Sequence, residues 1–185
     1  NESVVKTSED LTPANDLQAY VNCGGVTACN CGDTLTSSYN LTVDLDCSNT
    51  TGVVLTLGAN NITLDGKGFK ILANSTDINS AVIRTSSLSG TTIQNIDVSG
   101  NNTLGMGIEY RSSSNNLIFN VTAKYRRTGI KLYSNSDSNN ISHSDVSNAT
   151  FYGIFLDEGG VNNDPDRNLI SYVNASFAGS AAFYI

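Results

Sequence analysis

The chain has 185 residues, of which only 15% are charged and 39% hydrophobic, so neutral polar residues fill the difference: 24 Asn, 23 Ser and 18 Thr. A cytosolic enzyme of this length normally keeps about a quarter of its residues charged, and a disordered chain is poor in the β-branched residues that abound here, so neither class fits. The formal charge of −7, with cations scattered except at Lys124, Arg126 and Arg127, disfavours nucleic acid as a partner, and no apolar run approaches the roughly 18 to 20 residues that span a membrane.

In chain order, residues 1–22 read as an N-terminal extension. Its first residue is Asn rather than Met, which points to a processed mature chain or a fragment, and Ser3-Val-Val-Lys-Thr7 is a candidate strand for donation to a neighbouring subunit. Residues 23–52 hold all four cysteines, Cys23, Cys29, Cys31 and Cys47. An even, clustered set reads as two disulfides in an oxidising compartment, whereas a zinc site wants paired Cys-x-x-Cys spacings. Cysteines one residue apart are strained partners, so Cys23–Cys29 with Cys31–Cys47 is the preferred pairing of a disulfide-bonded cap.

From residue 53 to 185 the chain repeats. Gly107-Ile108, Gly129-Ile130 and Gly153-Ile154 recur, and the same register extends to Val53-Val54, Ala81-Val82 and Ala181-Ala182. A second marker follows in each unit, at Asn61-Ile62, Thr92-Ile93, Asn116-Leu117, Asn140-Ile141 and Asn168-Leu169. Short β-branched runs separated by Ser, Asn and Gly clusters are strand and turn. A period in the twenties, too short for a four-stranded propeller blade and without a leucine-rich pattern, predicts a parallel β-helix of five to six coils stacked at about 4.8 Å. One inward ladder is then Val54, Val82, Ile108, Ile130 and Ile154, and a second is Ile62, Ile93, Leu117, Ile141 and Leu169. Val98, Val121, Val146 and Val173 begin the next face. Asn61, Asn116, Asn140 and Asn168 form an internal column broken by Thr92. Outward, Leu55, Ile83, Glu109, Lys131, Phe155 and Phe183 follow the first ladder, with Glu109 and Lys131 as an exposed pair.

Ten Asn-x-Ser/Thr sequons occur, where random order would give about five. Together with the cysteine cluster they point to covalent N-glycans on an extracellular protein. The candidates are Asn40, Asn49, Asn74, Asn101, Asn120, Asn148 and Asn174. Asn61 and Asn140, as internal column residues, are poor acceptors.

The stretches Cys29-Asn-Cys-Gly-Asp-Thr, Leu41-Thr-Val-Asp-Leu-Asp-Cys47 and Asn61-Ile-Thr-Leu-Asp-Gly-Lys-Gly-Phe-Lys-Ile71 resemble the capping segment and first coils of right-handed parallel β-helix repeat proteins. That pectate-lyase-like superfold includes secreted and cell-surface proteins of archaea. The resemblance implies an all-β, right-handed solenoid. It leaves function open between lyases, glycosidases, adhesins, surface-layer proteins and carbohydrate-binding domains.

The residues favour a scaffold without catalysis. Glycoside hydrolysis needs two carboxylates about 5 to 9.5 Å apart, and the acids of the coils fall at different phases. Their one concentration, Asp157, Glu158, Asp164 and Asp166, suits Ca²⁺ as oxygen ligands in a flexible loop but matches no calcium-loop template, so no cofactor is assigned and Ca²⁺ stays the weak alternative. Lys124, Arg126, Arg127 and Lys131 either pair with acids on adjacent coils or serve a lyase or an acidic sugar, and His143 stands without a Cys or His companion. Ala181-Ala-Phe-Tyr-Ile185 begins a new coil and would leave an apolar edge, so the chain either continues or docks on a neighbour. The reading is an extracellular, self-associating structural glycoprotein of a filament, sheath or surface layer, binding end to end or through the N-terminal strand. The rivals are a polysaccharide-binding or polysaccharide-degrading module and an adhesin or viral fibre.

Overall fold

A computed structural model describes residues 22–74, 77–101 and 104–185. The N-terminal strand expected at Ser3–Thr7 and the sequon at Asn1 lie outside them. The strands are β1 (Asn22–Cys23), β2 (Thr34–Leu35), β3 (Tyr39–Asn40), β4 (Leu45–Asp46), β5 (Leu55–Leu57), β6 (Thr63–Asp65), β7 (Ile71–Leu72), β8 (Ala81–Ser86), β9 (Thr92–Asp97), β10 (Met106–Arg111), β11 (Leu117–Thr122), β12 (Thr128–Tyr133), β13 (Asn140–Ser142), β14 (Tyr152–Asp157), β15 (Leu169–Ser171) and β16 (Ala181–Tyr184). All pair in parallel with the equivalent strand of the next coil. The first sheet runs β1-β2-β5-β8-β10-β12-β14-β16, the second β15-β13-β11-β9-β6-β3, and β4-β7 starts a third face. Bridges from Lys70 to Asp97, Thr122 to Asp145 and Asp145 to Asn174 continue that face. The fold is therefore a parallel β-helix of about six coils, and β2, β3 and β4 already build a coil inside the disulfide-bonded segment. The bridges are Cys23–Cys29 and Cys31–Cys47, with Cα atoms 5.0 and 5.6 Å apart, as the spacing predicts.

The register corrects three expectations by one or two residues. In the first sheet Ile108, Ile130 and Ile154 stack on Ile83 and Leu55, not on Val82 and Val54. Leu55 and Ile83 are thus fully buried core residues rather than outward ones. The slip has a physical cause: two successive residues face inward where each strand begins, so Val54 and Leu55, or Val82 and Ile83, are both buried. In later coils the first of the two is glycine. A Cβ on Gly107 would come within 2.8 Å of the Ala123 Cβ and 2.5 Å of the Gly129 carbonyl oxygen, which is why the Gly-Ile pair recurs.

In the second sheet the inward ladder is Leu64, Ile93, Ile118, Ile141 and Ile170. Leu117 and Leu169 turn away from the core, Leu169 with 58% of its surface exposed. The repeating unit is therefore a polar residue, any residue, then Ile, and doubled asparagines at 115–116 and 139–140 hide the phase. On the third face Val98 and Val146 share a row with Ala123 and Ala175, while Val121 aligns with Ile96 and, through the backbone hydrogen bonds around Ser144, with Val173.

The coil turns at left-handed corners of constant phase: Ser87, Ser112 and Ser134; Asn61, Gly90, Asn115, Ser138 and Arg167; Asn95, Asn120, His143 and Tyr172; and Tyr125, Asn148 and Phe177. All have φ between 46° and 68°. Short polar side chains, asparagine above all, tolerate this backbone better than branched ones, and Ser or Asn fills nine of these fifteen corners.

Candidate functional site

The outer face of the first sheet carries most of the chemistry. Its register places Arg84, Glu109, Lys131, Phe155 and Tyr184 in one row and Arg111, Tyr133 and Asp157 in the next. Glu109 and Lys131 are neighbours, as expected, but not an exposed pair. Glu109 is 1% exposed, and its Oε2 takes the Nε of Arg84 at 2.6 Å and lies 3.0 Å from that of Arg111. Lys131 instead reaches Asp157 on the following coil, 2.8 Å away. Two cations on one buried carboxylate are the signal a residue-by-residue scan misses: Arg111 is two positions from Glu109 on the same strand face, and Arg84 is its cross-strand neighbour only in the corrected register.

Aromatic rings extend this face. Lys131 Nζ lies 4.7 Å from the centroid of Tyr133 and 5.1 Å from that of Phe155, and Arg127 lies 4.7 Å over Phe151. Tyr152 contacts Phe151, Phe155 and Tyr184 at 4.5 to 5.0 Å between centroids. Such ring-cation contacts hold flexible cationic side chains flat on the surface.

The basic cluster divides by role. Lys124 pairs with Asp145 on the next coil at 2.9 Å; this contact raises the lysine's pKa and, against the opposing effect of burial, lowers the aspartate's. Arg126 is buried, with 1% of its surface exposed. Its Nε donates to the carbonyl of Val98 at 2.8 Å, Nη1 to Ala73 at 3.0 Å and Nη2 to Ser99 at 3.0 Å, and burial lowers its pKa to about 10. It ties three coils together, a role that no sequence motif announces.

The acidic stretch flanks a groove of about 580 Å³ that Asp157, Glu158, Asp164 and Asp166 share with Phe155 and Tyr184. Asp157 is committed to Lys131 and accepts the Gly159 N–H. The neighbouring Asp164 raises the pKa of Glu158. Among the described residues no three His, Cys, Asp or Glu side chains gather where a metal ion could be held. His143 lies between Phe119 and Tyr172, with ring centroids 5.2 and 4.9 Å away. It sits at a corner in register with Asn120 and Asn95.

Asparagines fall into two populations. The internal column is Thr91, Asn116, Asn139 and Asn168: Asn116 Oδ1 accepts from the Thr91 N–H and hydroxyl, Asn139 Oδ1 from the Asn116 N–H and Nδ2, and Asn168 Oδ1 from the Asn139 N–H. Asn139 and Thr91 thus replace the expected Asn140 and Thr92, and Asn61 is an exposed corner residue outside the column. The second population lies at the surface. Asn40, Asn49, Asn74, Asn101, Asn120 and Asn174 are exposed, and Asn148 and Asn140 are half-buried. The backbone ladder brings the turns at Asn49, Asn74, Asn101 and Asn148 to nearly one phase of the coil, so they line one edge of the rod. The Arg126 guanidinium grips the backbone immediately before Asn74 and two residues before Asn101. Asn120 is less free, its Nδ2 donating to Asn95 Oδ1 at 2.9 Å.

Comparison with protein-family models, curated proteins and solved structures finds no match. Among the described residues no helix is long and apolar enough to cross a membrane, and the two disulfides fit an oxidising compartment.

Proposed function

We propose that the chain is a non-catalytic, N-glycosylated structural subunit that self-associates at the outside of a cell, as a filament, sheath or surface layer. The observation that carries this reading is how the charges are spent. Arg84, Arg111 and Glu109, Lys131 and Asp157, Lys124 and Asp145, Lys70 and Asp97, and Lys67 and Asp65 are joined in ion pairs, most of them between coils, where they brace the stack. The sequon-bearing turns along one edge supply acceptors for sugar, and the resemblance of the first coils to archaeal cell-surface β-helix proteins agrees with the setting. Electron microscopy of the concentrated mature protein is expected to show ordered assemblies. Uniform, dispersed monomers at every concentration overturn the reading.

A second reading, a polysaccharide-binding module, is favoured by the groove in which Asp157, Glu158 and Asp164 meet Phe155 and Tyr184. Retardation by neutral or acidic polysaccharide in affinity electrophoresis, lost on Tyr184→Ser, would establish this alternative.

A further inference from the structure

Of the nine sequons among the described residues, none places its Asn in the eight-stranded sheet; Asn40, Asn120 and Asn140 lie in the second sheet, and the others at corners or along the third face and its turns. Among the described residues, the outer face of the first sheet is therefore a broad surface that sugar would leave bare. It is also cationic in an acidic protein: Arg84, Arg111, Lys131 and Arg127 stand against Glu109 and Asp157, while the chain as a whole carries −7. Exposed aromatic area continues it, with Phe151 at 38% and Tyr184 at 50% of their surface.

We infer that this face is the contact surface for a second copy of the same chain, and that it receives the exposed acidic loop between β14 and β15, where Glu158, Asp164 and Asp166 stand with Val161, 86% exposed. The inference rests on the assembly reading above. Charge complementarity selects the occupant: within the nine residues 158–166 three are acidic and none is basic. The loop borders the face, sharing a groove with Phe155 and Tyr184, so each copy offers both halves of the contact side by side, a face for one neighbour's loop and a loop for a neighbour's face. Aromatic rings and flattened cations suit such an interface, where rings supply buried area and charges set register and on-rate.

The test is complementation between copies, read by sedimentation velocity of the full chain at low and at about 0.5 M salt, where exposed charges are largely screened. The face variant is Arg127→Glu with Lys131→Glu, and the loop variant is Glu158→Lys with Asp164→Lys. Wild type is expected to associate more strongly at low salt. Each variant alone should be at least about tenfold weaker, and an equimolar mixture of the two should form dimers that grow no further, because it retains one good face and one good loop. Circular dichroism verifies that each variant is folded; if the face variant is not, Arg127→Gln with Phe151→Ser takes its place. Variants that assemble like wild type, or a mixture that fails to recover dimers, overturn the docking inference while leaving self-association intact. A wild type that stays monomeric overturns the assembly reading itself. Monomers retarded by an acidic polysaccharide through Arg127 and Lys131 assign the face to carbohydrate instead.

Discussion

Two stretches of the same coil use asparagine in opposite ways. At the entry to the second sheet, Asn116, Asn139 and Asn168 turn their amides inward and along the stack: Asn116 and Asn139 each accept a backbone and a side-chain donor of the coil before, and Asn168 accepts the Asn139 N–H. Along the edge beyond the third face, Asn49, Asn74 and Asn101 turn outward, and the structural work is done beneath them by one guanidinium holding three carbonyls. A buried amide is useful only when its hydrogen-bonding positions are met, and the stack provides this for Asn116 and Asn139 by repeating the same partner from coil to coil; at the last member, Asn168, the Nδ2 is left without a partner. Among the described residues the edge shows no such regular partner. There the amide meets water, or a sugar, and a single Arg126 supplies the order.

The sharpest way to break this contrast is Arg126→Met. If the edge served display alone, the change would be mild. Leaving the carbonyls of Ala73, Val98 and Ser99 without their donor should instead cost about 3 kcal/mol or more, since each buried acceptor left unmet costs roughly 1 to 3 kcal/mol. The urea midpoint should fall accordingly. Asn139→Ala tests the other region: it strips Asn116 of its acceptor and should cost about 1 to 3 kcal/mol, again read as a denaturation midpoint.

An intermediate column sharpens the comparison by pH. Asn120 donates to Asn95, and Asn95 at 3.1 Å to Asp65, which also takes Gln94 at 2.9 Å and the Lys67 ammonium at 2.7 Å. Burial alone would raise the Asp65 pKa, but these donors together lower it well below the ordinary carboxylate range. A depressed folded-state pKa stabilises the fold above the unfolded value, about 3.9, and that contribution is lost as pH falls below it. Denaturation midpoints of wild type and Asp65→Asn should therefore differ at pH 6 and draw together progressively as pH falls below about 4. A difference that persists unchanged through that range removes Asp65 from the account.

The solenoid was legible because its markers keep phase over five units, and the preferred disulfide pairing because cysteines one residue apart are strained partners. The exact register was not. Two successive inward residues at each first-sheet strand and paired asparagines at each second-sheet entry make neighbouring phases look alike, and a one-residue slip exchanges core for surface. That slip hid Leu55 and Ile83 in the outward row, moved the amide column from Asn139 to Asn140, and concealed the Arg84–Glu109–Arg111 cluster. Arg126 was illegible for another reason: its partners are carbonyls 27 to 53 residues away, which carry no side-chain signature.

The smallest expected effect lies on the display edge. Asn74→Gln and Asn101→Gln should change stability by no more than about 0.5 kcal/mol, as exposed substitutions outside a packed or hydrogen-bonded feature do, while each removes one acceptor. This leads to the most direct measurement of the division between buried and displayed asparagine, glycopeptide mass spectrometry of the mature protein. The account predicts sugar on peptides containing Asn49, Asn74 and Asn101, and none on Asn140, whose Oδ1 is buried. A sugar-free edge, or a glycan on Asn140, would contradict it.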